Sequence, residues 1–334
     1  MPAAYRGGVV TGDSDAREAE GVSPHEPVLS EEVVEALTLE EGSIVVDATV
    51  GSGGHAAVMA AYLGPKGILV GLDRDPSVLQ GVGLRLESVA PRVELRHASY
   101  ETLAWVLRDL DITSVDCVLM DLGVGSHQLD DPERGLSFRS DAPLDMRYDR
   151  TTGKTAGDLL RRTSKEELAT WFHEFGEERY SRRIAAAIVE RRKERRLPTS
   201  CGDLADLVVR AVSRGQGPKR GRRIHPATRV FQALRIVVND ELGVLDRGLV
   251  AAHEALHVGG RLAVISFHSL EDRRVKQFFR SRMRPVFKKP IQASASERHA
   301  NPRSRSAKLR VAVRLPEGGT AASDPRLGCQ EARS

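Results

Sequence analysis

The chain is short of cysteine, of aromatic residues and of long apolar runs, and each shortage excludes something. Its three cysteines, Cys117, Cys201 and Cys329, are scattered and form no Cys-x-x-Cys pair. Neither a zinc site nor a disulfide framework is therefore indicated, no metal is expected, and a reducing cytoplasm is the simple setting. No apolar run approaches the ~20 residues that cross a bilayer, so no membrane partner is expected. The N-terminus lacks the positive cluster and apolar stretch of a signal peptide. Aromatics are only 4% of the 334 residues, yet 40% are hydrophobic. That is enough for a globular core in one large domain with an insertion, or in two domains.

The net charge of +4 conceals a strong asymmetry. Residues 150–235 carry 21 Lys/Arg against 10 Asp/Glu, and residues 261–314 carry 15 against 3. The remainder is acidic. Two basic blocks on an otherwise acidic protein favour a polyanionic partner, most commonly a phosphate backbone.

The most informative stretch runs from Ile44 to His55. An apolar run ends in Asp47, and the turn Gly51-Ser52-Gly53-Gly54 follows. A second apolar run, Ile68 to Leu72, ends in Asp73. Strand, tight loop, helix and a strand tipped by a carboxylate make a nucleotide-binding βαβ unit. Glycines let backbone N–H groups approach a ligand, and Asp73 suits two ribose hydroxyls. A dinucleotide site wants a third glycine where this chain has Ala57. An acid at Asp47 before a G-x-G turn is instead the pattern of Rossmann-like enzymes that bind S-adenosylmethionine.

The spacing predicts a helix from Ser30, with Ser30 as its N-cap, a third strand at Val93–His97, a helix from Tyr100 to Leu110 and a fourth strand from Val115 ending in Asp121. Helical spacing without strand candidates then fills Leu159–Arg162, Glu166–Phe175, Arg179–Arg196 and Leu204–Val212. Pro218 to Gly221 is expected as a loop at the far edge of this stretch. Val230 to Leu245 is expected as one helix back on the main domain. A strand resumes at Arg261–Phe267 behind the turn Gly259-Gly260, and Leu309–Val313 closes the fold. Pro285 to Arg305 reads as a basic, poorly ordered segment. The expected architecture is α/β, a Rossmann-like doubly wound parallel sheet with an all-helical insertion. In residue bounds, the main domain is 25–135 and 224–314, the insertion 136–223, and 1–24 and 315–334 are disordered tails.

Ligands in such sheets sit at the carboxyl ends of the strands. Asp47, Asp73 and Asp121 all lie there. Asp47 either orders the glycine turn or faces the cofactor's amino-acid moiety. Asp121 opens a glycine-rich polar loop and is a candidate hydrogen-bond acceptor near the transferred group. His268 and Ser269 follow a central strand and are candidates for the pocket wall, but no triad partner accompanies them. Arg179, Arg182 and Arg183 are spaced to share a helix face. His225 to Arg235 supplies Arg229 and Arg235 as further phosphate contacts.

A resemblance adds to this. The runs His25 to Leu29, Asp47 to His55, Asp73 to Pro76, Asp121 to Val124, Gln128 to Asp130, Arg134 to Phe138, Pro143 to Arg147, Gly176 to Arg179, His225 to Arg229 and Ser266 to Asp272 occur in order. Together they resemble the bacterial 16S ribosomal RNA (cytosine-N4)-methyltransferases, the MraW or RsmH family, from about His25 to Val313. The resemblance implies methylation of one decoding-centre cytidine of 16S rRNA by S-adenosylmethionine; whether the partner is naked rRNA or the 30S subunit is left open by the sequence. It implies cofactor contacts from Gly53, Gly54, His55, Asp73, Tyr100, Asp121 and Gln128. The family's loop usually reads D-L-G-V-S-S; here Gly125 replaces the first serine, which shifts weight to Ser126 and to backbone groups. The sequence leaves the oligomeric state open, a dimer included. Rivals are methylation of an amine in DNA or of a glutamine, which usually shows an N-P-P-Y motif absent here, and a non-catalytic RNA-binding scaffold, which predicts a degenerate pocket.

Overall fold

The computed structural model describes residues 27–125, 128, 129, 131–138, 141–213 and 225–316. The expected tails at 1–24 and beyond 316, the loop Pro218 to Gly221, and Ser126 lie outside the described residues.

One seven-stranded sheet runs in the order β3-β2-β1-β4-β5-β7-β6. Its strands are β1 (Ile44–Asp47), β2 (Ile68–Asp73), β3 (Arg92–His97), β4 (Val115–Asp121), β5 (Leu256–Ser266), β6 (Met283–Pro285) and β7 (Lys308–Arg314). The first five are parallel. β7 runs antiparallel to both β5 and β6, so the sheet is mixed at its far edge rather than wholly parallel. The central strands are near-continuous apolar runs because both faces are covered. Val46, Val70, Val118 and Met120 face one cluster, and Val45, Leu69, Leu119 and Ala263 face the other.

The second of those clusters is covered by α1 (Ser30–Leu37), α2 (Gly54–Leu63) and α3 (Pro76–Arg85). The first is covered by α4 (Leu103–Asp109), α10 (Glu241–Ala255) and α11 (Ser269–Arg282). Between β4 and β5 lie α5 (Ala156–Arg162), α6 (Lys165–Glu174), α7 (Ser181–Lys193), α8 (Cys201–Ser213) and α9 (Ala227–Asn239). These helices bury a core of their own, built on Leu160, Phe172, Ile184, Ile188, Leu204 and Val208.

Several local expectations are corrected. Ser30 is not the N-cap of α1; Leu29 holds that place at φ 56°, and no side chain caps the turn. Its N–H is instead accepted by Glu297 Oε1 at 2.9 Å. The helix expected over Val230 to Leu245 is two helices, because Asp240 at φ 48° breaks the chain between α9 and α10. The apolar face of α9, with Val230, Phe231 and Leu234, packs in the helical core. By packing, the helical unit therefore continues past residue 223. The turn Gly259-Gly260 lies within β5, in an irregularity where Val115 pairs Leu256 but Cys117 pairs Arg261. The segment expected to be poorly ordered follows β6 and carries a short helix α12 (Ala295–Ala300) and a 3₁₀ turn, Pro302–Ser306. Ile291 bridges Leu309 there.

Candidate active site

The strand order reverses between β1 and β4, which opens a crevice at their carboxyl ends. A cavity of about 400 Å³ occupies it, within the range of small-molecule sites. The glycine turn forms one wall. Gly53 adopts φ 79°, a left-handed conformation that favours glycine. Its N–H is engaged with Val50 O at 2.7 Å. Gly51, Gly54 and His55 face the cavity, while Gly53 shapes the turn behind them. Both Asp73 oxygens accept backbone N–H groups at 2.8 Å, Oδ2 from Gly51 and Oδ1 from Asp75. The carboxylate is thus fixed at the strand tip.

Tyr100 stands in the 3₁₀ turn before α4 and lines the same cavity. The Cδ2–Cε2 edge of its ring lies against Gly248 of α10, where any Cβ would overlap it. Burial pushes its phenol well above the ordinary range.

Asp121 ends β4. Its Oδ1 accepts the Gly123 N–H at 3.0 Å, and its Oδ2 lies 3.5 Å from His55 Nε2. Its backbone N–H donates to Thr49 Oγ1 at 2.7 Å, which ties β4 to the loop after β1. His55 is 7% exposed, and its Nε2 has no hydrogen bond among the described residues. Asp47, 1% exposed, accepts the Thr49 N–H on Oδ1, while Oδ2 is left without a partner there. Burial pushes the Asp47 carboxyl up to about 7, against the opposing pull of His55.

Gln128 lines the cavity, but its amide is held: Nε2 donates to Asp75 Oδ2 at 3.2 Å and Oε1 accepts the Gly125 N–H at 3.2 Å. The same Asp75 oxygen meets Arg134 Nη1 at 2.7 Å in a buried pair. Gln128 therefore anchors the loop after Asp121 to the start of α3.

His268 is not placed as a catalyst. It N-caps α11 in a capping box, with Nδ1 accepting the Glu271 N–H at 3.4 Å. The cavity wall here comes from Phe267 and Glu271.

Arg235 is corrected too. It does not join an outer row of phosphate-binding arginines; its Nε and Nη2 donate to Glu241 at 2.7 and 3.1 Å, and it lines the cavity. Tyr148 donates its hydroxyl to the same Glu241 at 2.8 Å. Donor atoms of Glu241, His268 and Glu271 lie within 4.8 Å of one another, but the Arg235 fork already supplies Glu241 with its cation.

The remaining basic candidates stay outside. Arg179 lies before α7 rather than on it, since Glu177 takes φ 49° and the helix begins at Ser181. Arg179 and Arg183 sit over the Tyr180 ring at 4.5 and 5.7 Å. Arg179, Arg182 and Arg229 are exposed, with Arg229 Nη1 reaching Glu177 O at 3.1 Å.

Sequence reasoning missed Tyr148, Arg235 as a cavity residue, Glu241 and Asn239. Asn239 accepts the Tyr148 N–H at 2.8 Å and donates to Met146 O at 2.8 Å, holding the stretch after β4 against the end of α9. The one available signal was Asn239-Asp240-Glu241, a polar cluster inside an apolar helical pattern.

A Rossmann-like sheet with a glycine turn and two strand-end acids on one cavity defines an S-adenosylmethionine-dependent methyltransferase. The glycine turn, Asp73, Tyr100 and His55 suit that cofactor's adenosine and charged amino-acid end. The chain belongs to the MraW methylase family, whose model matches residues 22–315. It is 49% identical over 314 residues to ribosomal RNA small subunit methyltransferase H of Syntrophotalea carbinolica, covering 88% of this chain and 99% of that one. It is 46% identical over 314 residues to the protein of the same name from Symbiobacterium thermophilum, covering 88% and 98%. Among solved structures it is similar to an rRNA methylase from Streptococcus thermophilus, with 12% identity, 86% and 94% coverage and a TM-score of 0.39.

Proposed function

We propose that the chain methylates the exocyclic N4 amine of one cytidine in the decoding centre of 16S ribosomal RNA, with the assembled 30S subunit as its partner. The observation that carries this reading is that the ribose acid Asp73 and the strand-end acceptor Asp121 share one cavity. The names of the relatives support small-subunit ribosomal RNA as the substrate.

S-adenosylmethionine supplies an electrophilic methyl group. The protein must make a poor nucleophile react, because the lone pair of the cytosine amine is delocalised into the ring. Asp121 accepts a hydrogen bond from N4–H, draws the lone pair out of conjugation and takes the proton the amine loses. Its Oδ1 is fixed by the Gly123 N–H, so Oδ2 is the working oxygen. Backbone groups of the following loop assist, and Ser126 is a candidate second contact. The target base must leave its stack to reach the cavity. Arg179, Arg182, Arg183 and Arg229 hold phosphates beside it.

Methyl-labelled cofactor offered to purified 30S subunits, naked 16S RNA and DNA, followed by nucleoside mass analysis, tests the proposal. Label in N4-methylcytidine of the small subunit is expected. Label only in DNA, or in no nucleic acid while the cofactor still binds, would overturn it.

A further inference from the structure

The cavity wall carries more chemistry than the cofactor uses. Beyond the glycine turn, Asp73 and Tyr100, it presents Arg235, held rigidly from behind. Glu241 takes Nε and one Nη2 proton, and Tyr148 locks the same carboxylate. The Nη1 group carries no hydrogen bond among the described residues, and the side chain is 20% exposed. Because Arg235 lines the cavity, a fixed edge of N–H donors is on offer there. Its charge is already neutralised by Glu241. The edge therefore suits a neutral, planar ligand with adjacent acceptors better than a phosphate.

The pyrimidine and purine edges differ in what they ask of such a wall. Read from the exocyclic group inward, cytosine presents a donor at N4, an acceptor at N3 and an acceptor at O2. Uracil presents acceptor, donor, acceptor. Guanine presents acceptor, donor, donor. Adenine presents donor and acceptor, then a C–H. A carboxylate acceptor at Asp121 with a donor fork at Arg235 satisfies all three positions only of cytosine. A uracil N3–H would face an arginine N–H, leaving two buried donors opposed.

We propose that Arg235 is the specificity-determining residue of the reaction, its guanidinium edge donating to N3 and O2 of the cytosine whose N4 amine faces Asp121. The proposal rests on the reading of cytidine as the substrate. Glu241 and Tyr148 are then positioning residues that aim the fork.

The test uses 30S subunits reconstituted with 16S RNA in which the methylated position is cytidine or 3-deazacytidine. The analogue keeps the amine and O2 but replaces N3 by C–H. With the unaltered enzyme, kcat/KM should fall about thirtyfold on the analogue, the loss of one charge-assisted hydrogen bond. In the double variant Arg235→Met/Glu241→Gln, which removes both members of the ion pair, the natural subunit should lose at least that factor. The analogue should then lose nothing further. Thermal melting and S-adenosylhomocysteine binding establish that the variant is folded, and Arg235→Lys, which keeps the charge without the fork, serves if it is not. Equal turnover of both subunits by the unaltered enzyme overturns the proposal without recourse to any variant. So does an analogue penalty that is the same with and without Arg235. Absence of N4-methylcytidine from unmodified subunits would instead sink the substrate reading itself.

Discussion

Asp121 Oδ2 lies 3.5 Å from His55 Nε2, and the imidazole nitrogen has no other polar partner among the described residues. An acid from the end of β4 and a histidine from the first turn of α2 thus meet across the crevice at which the sheet reverses its strand order. The contact joins the start of α2 to the end of β4 on one cavity wall.

Asp121→Asn keeps the size of the side chain but removes its charge. Turnover should be abolished, while the dissociation constant for S-adenosylhomocysteine stays within about tenfold, ~1.4 kcal/mol. Single-turnover methylation and calorimetric titration read the two effects separately. A collapse of cofactor affinity would make Asp121 a binding residue only.

Gly248→Ala drives a methyl group into the Tyr100 ring. Overpacking of this kind should destabilise the protein by about 1–3 kcal/mol. Cofactor affinity should fall as the ring is displaced. Denaturant unfolding and calorimetry measure both. Unchanged affinity would show that Tyr100 does not touch the cofactor.

Asp47 gives the cofactor-free protein a pH dependence of definite sign. Its carboxyl rises from 3.8 to about 7 on folding, chiefly through burial. The folded state therefore binds the extra proton between those values. Stability is fully present below pH 4 as far as this group is concerned and is lost as pH rises toward 7, by up to about 4 kcal/mol. Asp47→Asn should abolish that slope and unfold at higher urea than the parent at pH 8. A variant no more stable than the parent at pH 8 would show that the charge is compensated.

Arg179→Ala with Arg182→Ala removes two exposed cations from the helical unit. If both meet phosphates, the slope of log K against log salt should shrink by about 1.4 for single-stranded RNA, with little effect on the cofactor. Filter binding over a salt series checks it. An unchanged slope would place the RNA elsewhere.

The parallel strands and the acids at their tips were legible because covered strands read as apolar runs, and a charged residue at the end of such a run has few structural excuses. Asp47, Asp73 and Asp121 stand where the pattern put them. Arg235 was misread because its surroundings in sequence are helical and basic, and nothing local reveals that Glu241, beyond a backbone break at Asp240, folds back on it. The capping role of His268 was missed for a similar reason. A histidine after a strand looks like a site residue, whereas its position three before Glu271 also makes it a helix cap. The segment between β6 and β7 escaped because its order comes from distant partners, such as Glu297 on Leu29, rather than from periodicity.

That last contact spans 268 residues of chain, and Asn301 and Arg303 from the same region help wall the cavity. A ribosome delivers the protein from its N-terminus, so Leu29 emerges early and waits for a partner made nearly at the end. That wall of the cavity is consequently completed only shortly before β7 closes the sheet. A fragment ending before residue 301 lacks both this wall of the cavity and the strand β7 that pairs with β5.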